Sequence, residues 1–225
     1  LHDALPICVA SIIGEKDFMR LTFKVNEHVL IPRPDTETLV EDILAVLPND
    51  GEYRILDVCT GPGTILYSLL HYMPNATGMG LDISKDALQV AATNREKLEI
   101  GDRAKLCVSD LFSALASLGG YEESFDVITS NPPYIPTAEL ETLAVEVKNE
   151  PSLALDGGED GLDFYRRLVT DSATYLKSGG YLAVEIGMGQ EEDVCVLAKA
   201  TGFYGEPVMQ KDIAGIIREL RWQKL

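Results

Sequence analysis

Cationic side chains are scarce in this 225-residue chain: 19 Lys and Arg stand against 36 Asp and Glu, a formal charge of −17. That excess disfavours tight, salt-driven binding to a phosphate backbone, although a local basic groove would survive it. Cysteine is also sparse. Cys8, Cys59, Cys107 and Cys195 are widely spaced with no C-x-x-C pair, and His2, His28 and His71 form no metal-ligand spacing with them. Free thiols in a reducing cytoplasm are expected, with no metal. No apolar run approaches the length of a membrane span, no signal-peptide layout is visible, and there is no repeat or low-complexity tract. What the chain does have is a globular balance, 46% hydrophobic and 24% charged, and enough length for one full core.

The chain opens on Leu1 rather than Met, so it is expected to be incomplete at the front. Residues 1–7 resemble a peptide translated from sequencing-adapter DNA, and residues 1–13 are expected to be a disordered or non-native remnant. Residues 14–34 read as a β-hairpin linker. Apolar and polar side chains alternate over residues 18–25 and again toward Val29-Leu30-Ile31, with Asn26-Glu27 as the turn between two strands. Pro32-Arg33-Pro34 stops the hairpin, and the main domain, residues 35–225, follows. Asp35 or Thr36 caps its first helix, whose buried face is Leu39, Val40, Ile43, Leu44 and Leu47.

Residues 54–59 read as a strand running into Thr60-Gly61-Pro62-Gly63-Thr64, with Ile65, Leu66, Leu69 and Leu70 forming a helical face beyond. Strand, Gly-rich turn and helix open a nucleotide-binding, doubly wound α/β domain, and the glycines let main chain approach a ligand closely. The turn is neither the G-x-G-x-x-G fingerprint nor a P-loop, which favours a cofactor without a pyrophosphate. Taken alone, it is also what any tight strand–helix connection needs. A second strand, about residues 77–81, ends at Asp82, placed to accept hydrogen bonds from both ribose hydroxyls. Asp82 would serve equally as a helix cap, but Ser84 is the better cap for the helix carrying Leu88, Ala91, Ala92 and Leu98. A third strand, residues 104–109, ends at Asp110, with Leu111 and Phe112 behind it. Asp110 is a candidate partner for an adenine amine or, alternatively, another helix cap.

The fourth strand, Phe125-Asp126-Val127-Ile128, leads into Thr129-Ser130-Asn131-Pro132-Pro133-Tyr134-Ile135. Two prolines forbid helix and hold Asn131 extended. Asn131 offers an amide acceptor and donor, the prolines leave mostly carbonyl oxygens, and Tyr134 supplies a flat face. Such a site suits a planar group bearing –NH2, held by its hydrogens while its nitrogen stays free; a proline-stiffened loop is the plain alternative. Four strand ends thus carry Asp57 with its turn, Asp82, Asp110 and Asn131, at the edge where open α/β sheets bind ligands. From Pro136 the chain is acidic and loop-like as far as Gly158. A helix with Leu162, Tyr165, Leu168, Val169 and Leu176 follows, ending at Lys177-Ser178-Gly179-Gly180. Residues 181–186 form a fifth strand, Val194, Leu197 and Ala198 mark a helix, and Val208-Met209 pairs with residues 216–222 as a closing hairpin.

Taken together, these residues resemble the class I S-adenosylmethionine-dependent methyltransferases, and specifically the HemK/PrmC release-factor glutamine methyltransferases. The features that carry the resemblance are Val29-Leu30-Ile31-Pro32-Arg33-Pro34-Asp35-Thr36-Glu37, Asn131-Pro132-Pro133-Tyr134, and Glu150-Pro151 leading to Leu155-Asp156-Gly157-Gly158-Glu159-Asp160-Gly161. It implies a Rossmann-like, seven-stranded, mostly parallel sheet with a C-terminal antiparallel hairpin. It also implies methyl transfer from S-adenosylmethionine to the side-chain amide of the glutamine in a Gly-Gly-Gln loop of peptide chain release factors, in the cytoplasm; a monomer is favoured, with the oligomeric state left open. Cofactor binding is implied for Asp57, Cys59, Thr60, Gly61, Pro62, Gly63, Asp82, Ile83, Asp110, Leu111 and Asn131, and substrate binding for Arg33, Glu37 and residues 131–134. Asn131, Pro132, Pro133 and Tyr134 are the implied catalytic set. Three departures stand out: the small helical domain that usually precedes the hairpin is not in this sequence, Cys59 and Pro62 stand where the cofactor loop usually has Gly and Ser, and the usual basic ending is Ile216-Ile217-Arg218. Two alternatives remain, an exocyclic-amine methyltransferase of nucleic acid and an inactive, truncated cofactor-binding remnant.

Overall fold

A computed structural model describes residues 9–225; the adapter-like stretch and Cys8 lie outside the described residues. A short helix α1 (Val9–Ile13) precedes a hairpin of β1 (Glu15–Phe18) and β2 (Leu21–Lys24). The domain then runs α2 (Glu37–Val46), β3 (Arg54–Val58), α3 (Thr64–Tyr72), β4 (Thr77–Asp82), α4 (Lys85–Lys97), β5 (Ala104–Val108), α5 (Ser113–Leu118) and β6 (Phe125–Ser130). After it come α6 (Val145–Lys148), α7 (Asp163–Tyr175), β7 (Leu176–Glu185), α8 (Glu191–Thr201), β8 (Val208–Lys211) and β9 (Ile217–Gln223).

The main sheet has strand order β5-β4-β3-β6-β7-β9-β8. β9 runs antiparallel to both of its neighbours, and the pairings from β5 across to β7 are parallel. Parallel strands are covered on both faces, which is why β3 and β6 read as apolar runs rather than alternations. On one face Leu39, Val40, Ile43, Leu66 and Leu69 of α2 and α3 pack on Ile55 and Val127. On the other, Tyr165, Leu168, Val194 and Ala198 of α7 and α8 pack on Leu56, Ile128 and Leu182. Tyr165 and Trp222 are fully buried, each contributing roughly 2 to 3 kcal/mol of transfer free energy. Strand order reverses between β3 and β6, and a ligand crevice belongs at that switch point.

Four expectations need correction. The hairpin turn is Met19-Arg20, both at positive φ (48° and 60°), and it joins residues 15–18 to 21–24. The turn expected at Asn26-Glu27 is not the one that pairs strands, and Val29-Leu30-Ile31 forms no strand, Val29 and Ile31 packing instead against Ala87 and Val90 of α4. A two-residue turn with both φ positive matches strand twist and so fixes the register, yet this one lacks the Asn or Gly that would announce it. At α2, Thr36 is the N-cap residue but makes no side-chain cap bond, because its hydroxyl is turned toward Asn131. α7 ends at Tyr175, and residues 176–180 belong to β7, where Leu176 pairs with Phe125 across a register shift. The stretch after Pro136 is not bare loop, since it contains 3-10 turns at Thr137–Thr142 and Ser152–Ala154 as well as α6.

The hairpin is fastened to the sheet through Asn94 of α4, which is fully buried. Its Oδ1 accepts the Lys24 N–H at 2.6 Å, and its Nδ2 donates to Lys24 O at 3.0 Å and Pro62 O at 2.9 Å. One side chain therefore joins β2, α4 and the turn after β3.

Candidate active site

Beyond β3 the chain makes a tight turn with Cys59, Gly61 and Gly63 all at positive φ, 60°, 53° and 85°. Cys59 carries the strain that glycine avoids in this region, about 1 kcal/mol. A Cβ on Gly63 would lie 2.2 Å from the Tyr67 ring. Asp57 is buried behind the turn, its carboxylate accepting from Thr60 Oγ1 at 2.6 Å and Thr129 Oγ1 at 2.7 Å. It thereby ties the turn to β6, and burial pushes its pKa up to about 6 in spite of the two hydroxyls. It does not line the cavity described next.

That cavity, of about 240 Å³, opens at the carboxyl ends of β3, β4, β5 and β6 and is lined by Gly61, Asp82, Ile83, Asp110, Leu111 and Asn131, among others. Asp82 accepts from Gly61 N at 2.8 Å and from Ser84 N at 2.9 Å, which leaves lone pairs for a ligand. Burial raises its pKa, opposed by those N–H groups. Ser84 caps α4 by accepting from Ala87 N at 3.1 Å. Asp110 is no cap: Ser109 Oγ accepts from Ala114 N, and Asp110 pairs with Arg167 at 2.8 Å. Pro62 lines the cavity with no N–H to offer, and Cys59, Thr60 and Pro133 line it too.

The remaining candidates are arranged differently. Glu37 faces the hairpin, accepting Met19 N at 2.7 Å, and is not part of the cavity wall. Arg33 lines the cavity but is ion-paired with Glu150, whose other oxygen accepts Ile31 N at 3.0 Å. Pro132 is buried and is not among the residues that line the cavity. Tyr134 turns inward and donates from its hydroxyl to Glu185 Oε1 at 3.4 Å, and Gln190 Nε2 donates to its main-chain oxygen at 3.0 Å. Asn131 stands at the cavity's edge with Nδ2 donating to Thr36 Oγ1 at 3.3 Å. Sequence reasoning missed Phe164 and Arg167, one helical turn apart on α7, and Pro151, Leu153 and Ala154, all of which line the cavity. Their i, i+3 spacing puts the two on one helix face but does not tell that this face looks onto a cavity.

The wall suits a cationic cofactor with an apolar ring and hydroxyl groups. With Arg33 paired to Glu150 and Arg167 to Asp110, Asp82 is left as the uncompensated charge among the acidic and basic side chains of this wall. Space beside Gly61 is open where a Cβ would lie, and Thr64 Oγ1 is buried there without a partner. Ile83, Leu111 and Phe164 supply apolar surface.

Residues 49–205 match the family model described as a methyltransferase domain. Among solved structures, a methyltransferase from Pyrococcus furiosus superposes with a TM-score of 0.62 at 17% identity, covering 90% of this chain and 88% of that one. The hMettl16 catalytic domain gives 0.68 at 15% identity, covering 89% of this chain and 74% of that one. Fold and site thus define a Rossmann-like methyltransferase that takes its methyl group from S-adenosylmethionine. Curated relatives narrow this further. Release factor glutamine methyltransferases from Caulobacter vibrioides, Moorella thermoacetica and Bradyrhizobium diazoefficiens are 45%, 46% and 41% identical over 86%, 91% and 96% of this chain. The chain spans 66%, 70% and 72% of their lengths. It belongs to the release factor glutamine methyltransferase family. Among the described residues no helix is long and apolar enough to cross a membrane, and no cluster of side chains could hold a metal ion.

Proposed function

We propose that this chain methylates the side-chain amide nitrogen of the glutamine in the Gly-Gly-Gln loop of peptide chain release factors, acting in the cytoplasm. The observation that carries the reading is the convergence of Gly61, Asp82 and Asn131 on one cavity. S-adenosylmethionine, when bound, supplies an electrophilic methyl group on a sulfonium. Asp82 would hold the ribose hydroxyls, Ile83, Leu111 and Phe164 would supply the apolar surface for the adenine, and Asp110 would face its amine. An amide nitrogen is a poor nucleophile because its lone pair is delocalised, so the protein's task is alignment at near-attack distance. Asn131 through Oδ1 and Pro132 through its carbonyl accept the two amide hydrogens and draw electron density onto the nitrogen. Tyr134 holds this corner from behind rather than by stacking, given its inward hydroxyl. Arg33 and Glu150 brace the rim over which the loop would enter.

The test is a radiolabelled methyl-transfer assay offering release factor, RNA and DNA side by side to the parent chain and to Asn131→Ala. Transfer to release factor alone, lost by at least about 100-fold in Asn131→Ala with cofactor affinity nearly intact, is expected. Methyl on nucleic acid would favour the exocyclic-amine reading, and cofactor binding without turnover the inactive remnant.

A further inference from the structure

Three carboxyl groups lie in file behind Asn131, and the reaction as described uses none of them. Glu185 ends β7, Glu219 is its cross-strand partner on β9, and Asp42 of α2 lies beyond. They are 3%, 0% and 6% exposed. Directly opposed residues of an antiparallel pair share a face of the sheet, so Glu185 and Glu219 both look toward α2. Burying a carboxyl costs several kcal/mol unless its surroundings use it.

The surroundings of Glu185 are those of the amide corner. Tyr134 donates to its Oε1 at 3.4 Å, Tyr165 donates to its main-chain oxygen at 2.8 Å, and its Oε2 has no hydrogen bond of good geometry. Thr36 and Asn131 approach the carboxyl closely enough to stabilise its charged form. These are also the two residues joined by the 3.3 Å contact from Nδ2 to Oγ1. The two ends of an asparagine amide are nearly identical in shape, so its neighbours decide which end faces outward. An acceptor behind Asn131 draws Nδ2 inward and leaves Oδ1 outward.

We propose that Glu185 is a positioning residue: as a carboxylate it accepts from Thr36 and from Asn131 Nδ2, so that Asn131 presents oxygen rather than NH2 to the incoming amide. The inference rests on the reading above that the methyl acceptor is a primary amide. A protonated Glu185 acts as a donor, turns the Asn131 amide over and sets two donors against each other. Burial pushes the Glu185 pKa up to about 7, against Thr36, Arg218 and Asn131, while Asp35 pushes it the same way as burial. The other groups around it are Arg218 and Glu219 of β9, Asp35 ahead of α2, Tyr134, and Tyr165 of α7. Arg218, Tyr134 and Tyr165 are all raised, away from neutrality, and Glu219 to about 10. Activity governed by Glu185 therefore rises with pH through neutrality.

The test compares parent, Glu185→Gln, Glu185→Ala and Asp35→Asn in two readouts: kcat against pH with purified release factor, and the side-chain 1H–15N resonances of Asn131 against pH without substrate. In the parent and Asp35→Asn, kcat and the Asn131 resonances should titrate together near neutral pH. In Glu185→Gln both should be flat, with kcat down about 10-fold and cofactor Kd within about twofold; in Glu185→Ala kcat falls about 100-fold. Parental kcat and pH profile in Glu185→Gln, or Asn131 resonances that ignore pH in the parent, would overturn the inference. A parent that transfers no methyl to release factor refutes the proposed function instead, and the resonance titration still decides the role of Glu185.

Discussion

Glu219 offers a measurement of what the buried carboxyl file costs the fold. The residue is fully buried on β9, neither carboxyl oxygen has a hydrogen-bond partner, and Asp42 is close by. Burial first, then the Asp42 charge, push its pKa from the ordinary 4.5 to about 10. Asp42 is itself held by Arg221 Nε and by Gln210 Nε2, the latter at 2.5 Å, and it is Glu219 that keeps its proton in the fold. Between pH 4.5 and 7 the folded chain keeps a proton that the unfolded chain gives up, so stability declines as pH rises through that window. By pH 7 the loss is about 3 kcal/mol, at about 1.4 kcal/mol per pH unit. This figure needs only a folded pKa well above 7, not its particular value. Glu219→Gln keeps the shape while removing the titration. It should match the parent near pH 4.5 and exceed it at pH 7 by about 3 kcal/mol, or roughly 6 to 12 °C in Tm. Urea unfolding of both proteins at pH 5 and pH 7.5 measures the difference, and the contribution of Glu185 cancels. An offset independent of pH would mean that Glu219 is ionised in the fold, and the reasoning would fail.

Two further outcomes concern Asp82 and the glycine turn after β3. Asp82→Ala should weaken S-adenosylmethionine binding by about 10- to 100-fold by calorimetry, through loss of both the ligand contact and the brace on Gly61 N; unchanged affinity would remove its ribose role. Gly63→Ala should cost roughly 2 to 4 kcal/mol in urea unfolding, since φ is +85° and the added methyl meets a buried Tyr67 ring whose hydroxyl is anchored on Ala91 O at 2.9 Å. A full-stability Gly63→Ala would show that the ring can yield.

The doubly wound sheet was legible because its central strands are short apolar runs ended by polar residues, and because Ser84 announces α4 where it caps it. The hairpin was misread because Met19 and Arg20 adopt positive φ without the residue types that usually do so. Chain-distant partnerships left no local trace: Asn131 meets Thr36, Arg33 meets Glu150, and Tyr134 meets Glu185 only once the sheet has assembled. For the same reason Thr36 looked like a helix cap and Glu37 like a site residue. Phe164 and Arg167 were not singled out, because the pattern of α7 does not distinguish the end that looks onto the cavity.

Asn94 makes the N-terminal hairpin and the glycine turn mechanically one piece. A force that pulls β2 away from the body must stretch the same amide that holds Pro62 in place, so the hairpin cannot be peeled off without disturbing the floor of the cofactor cavity.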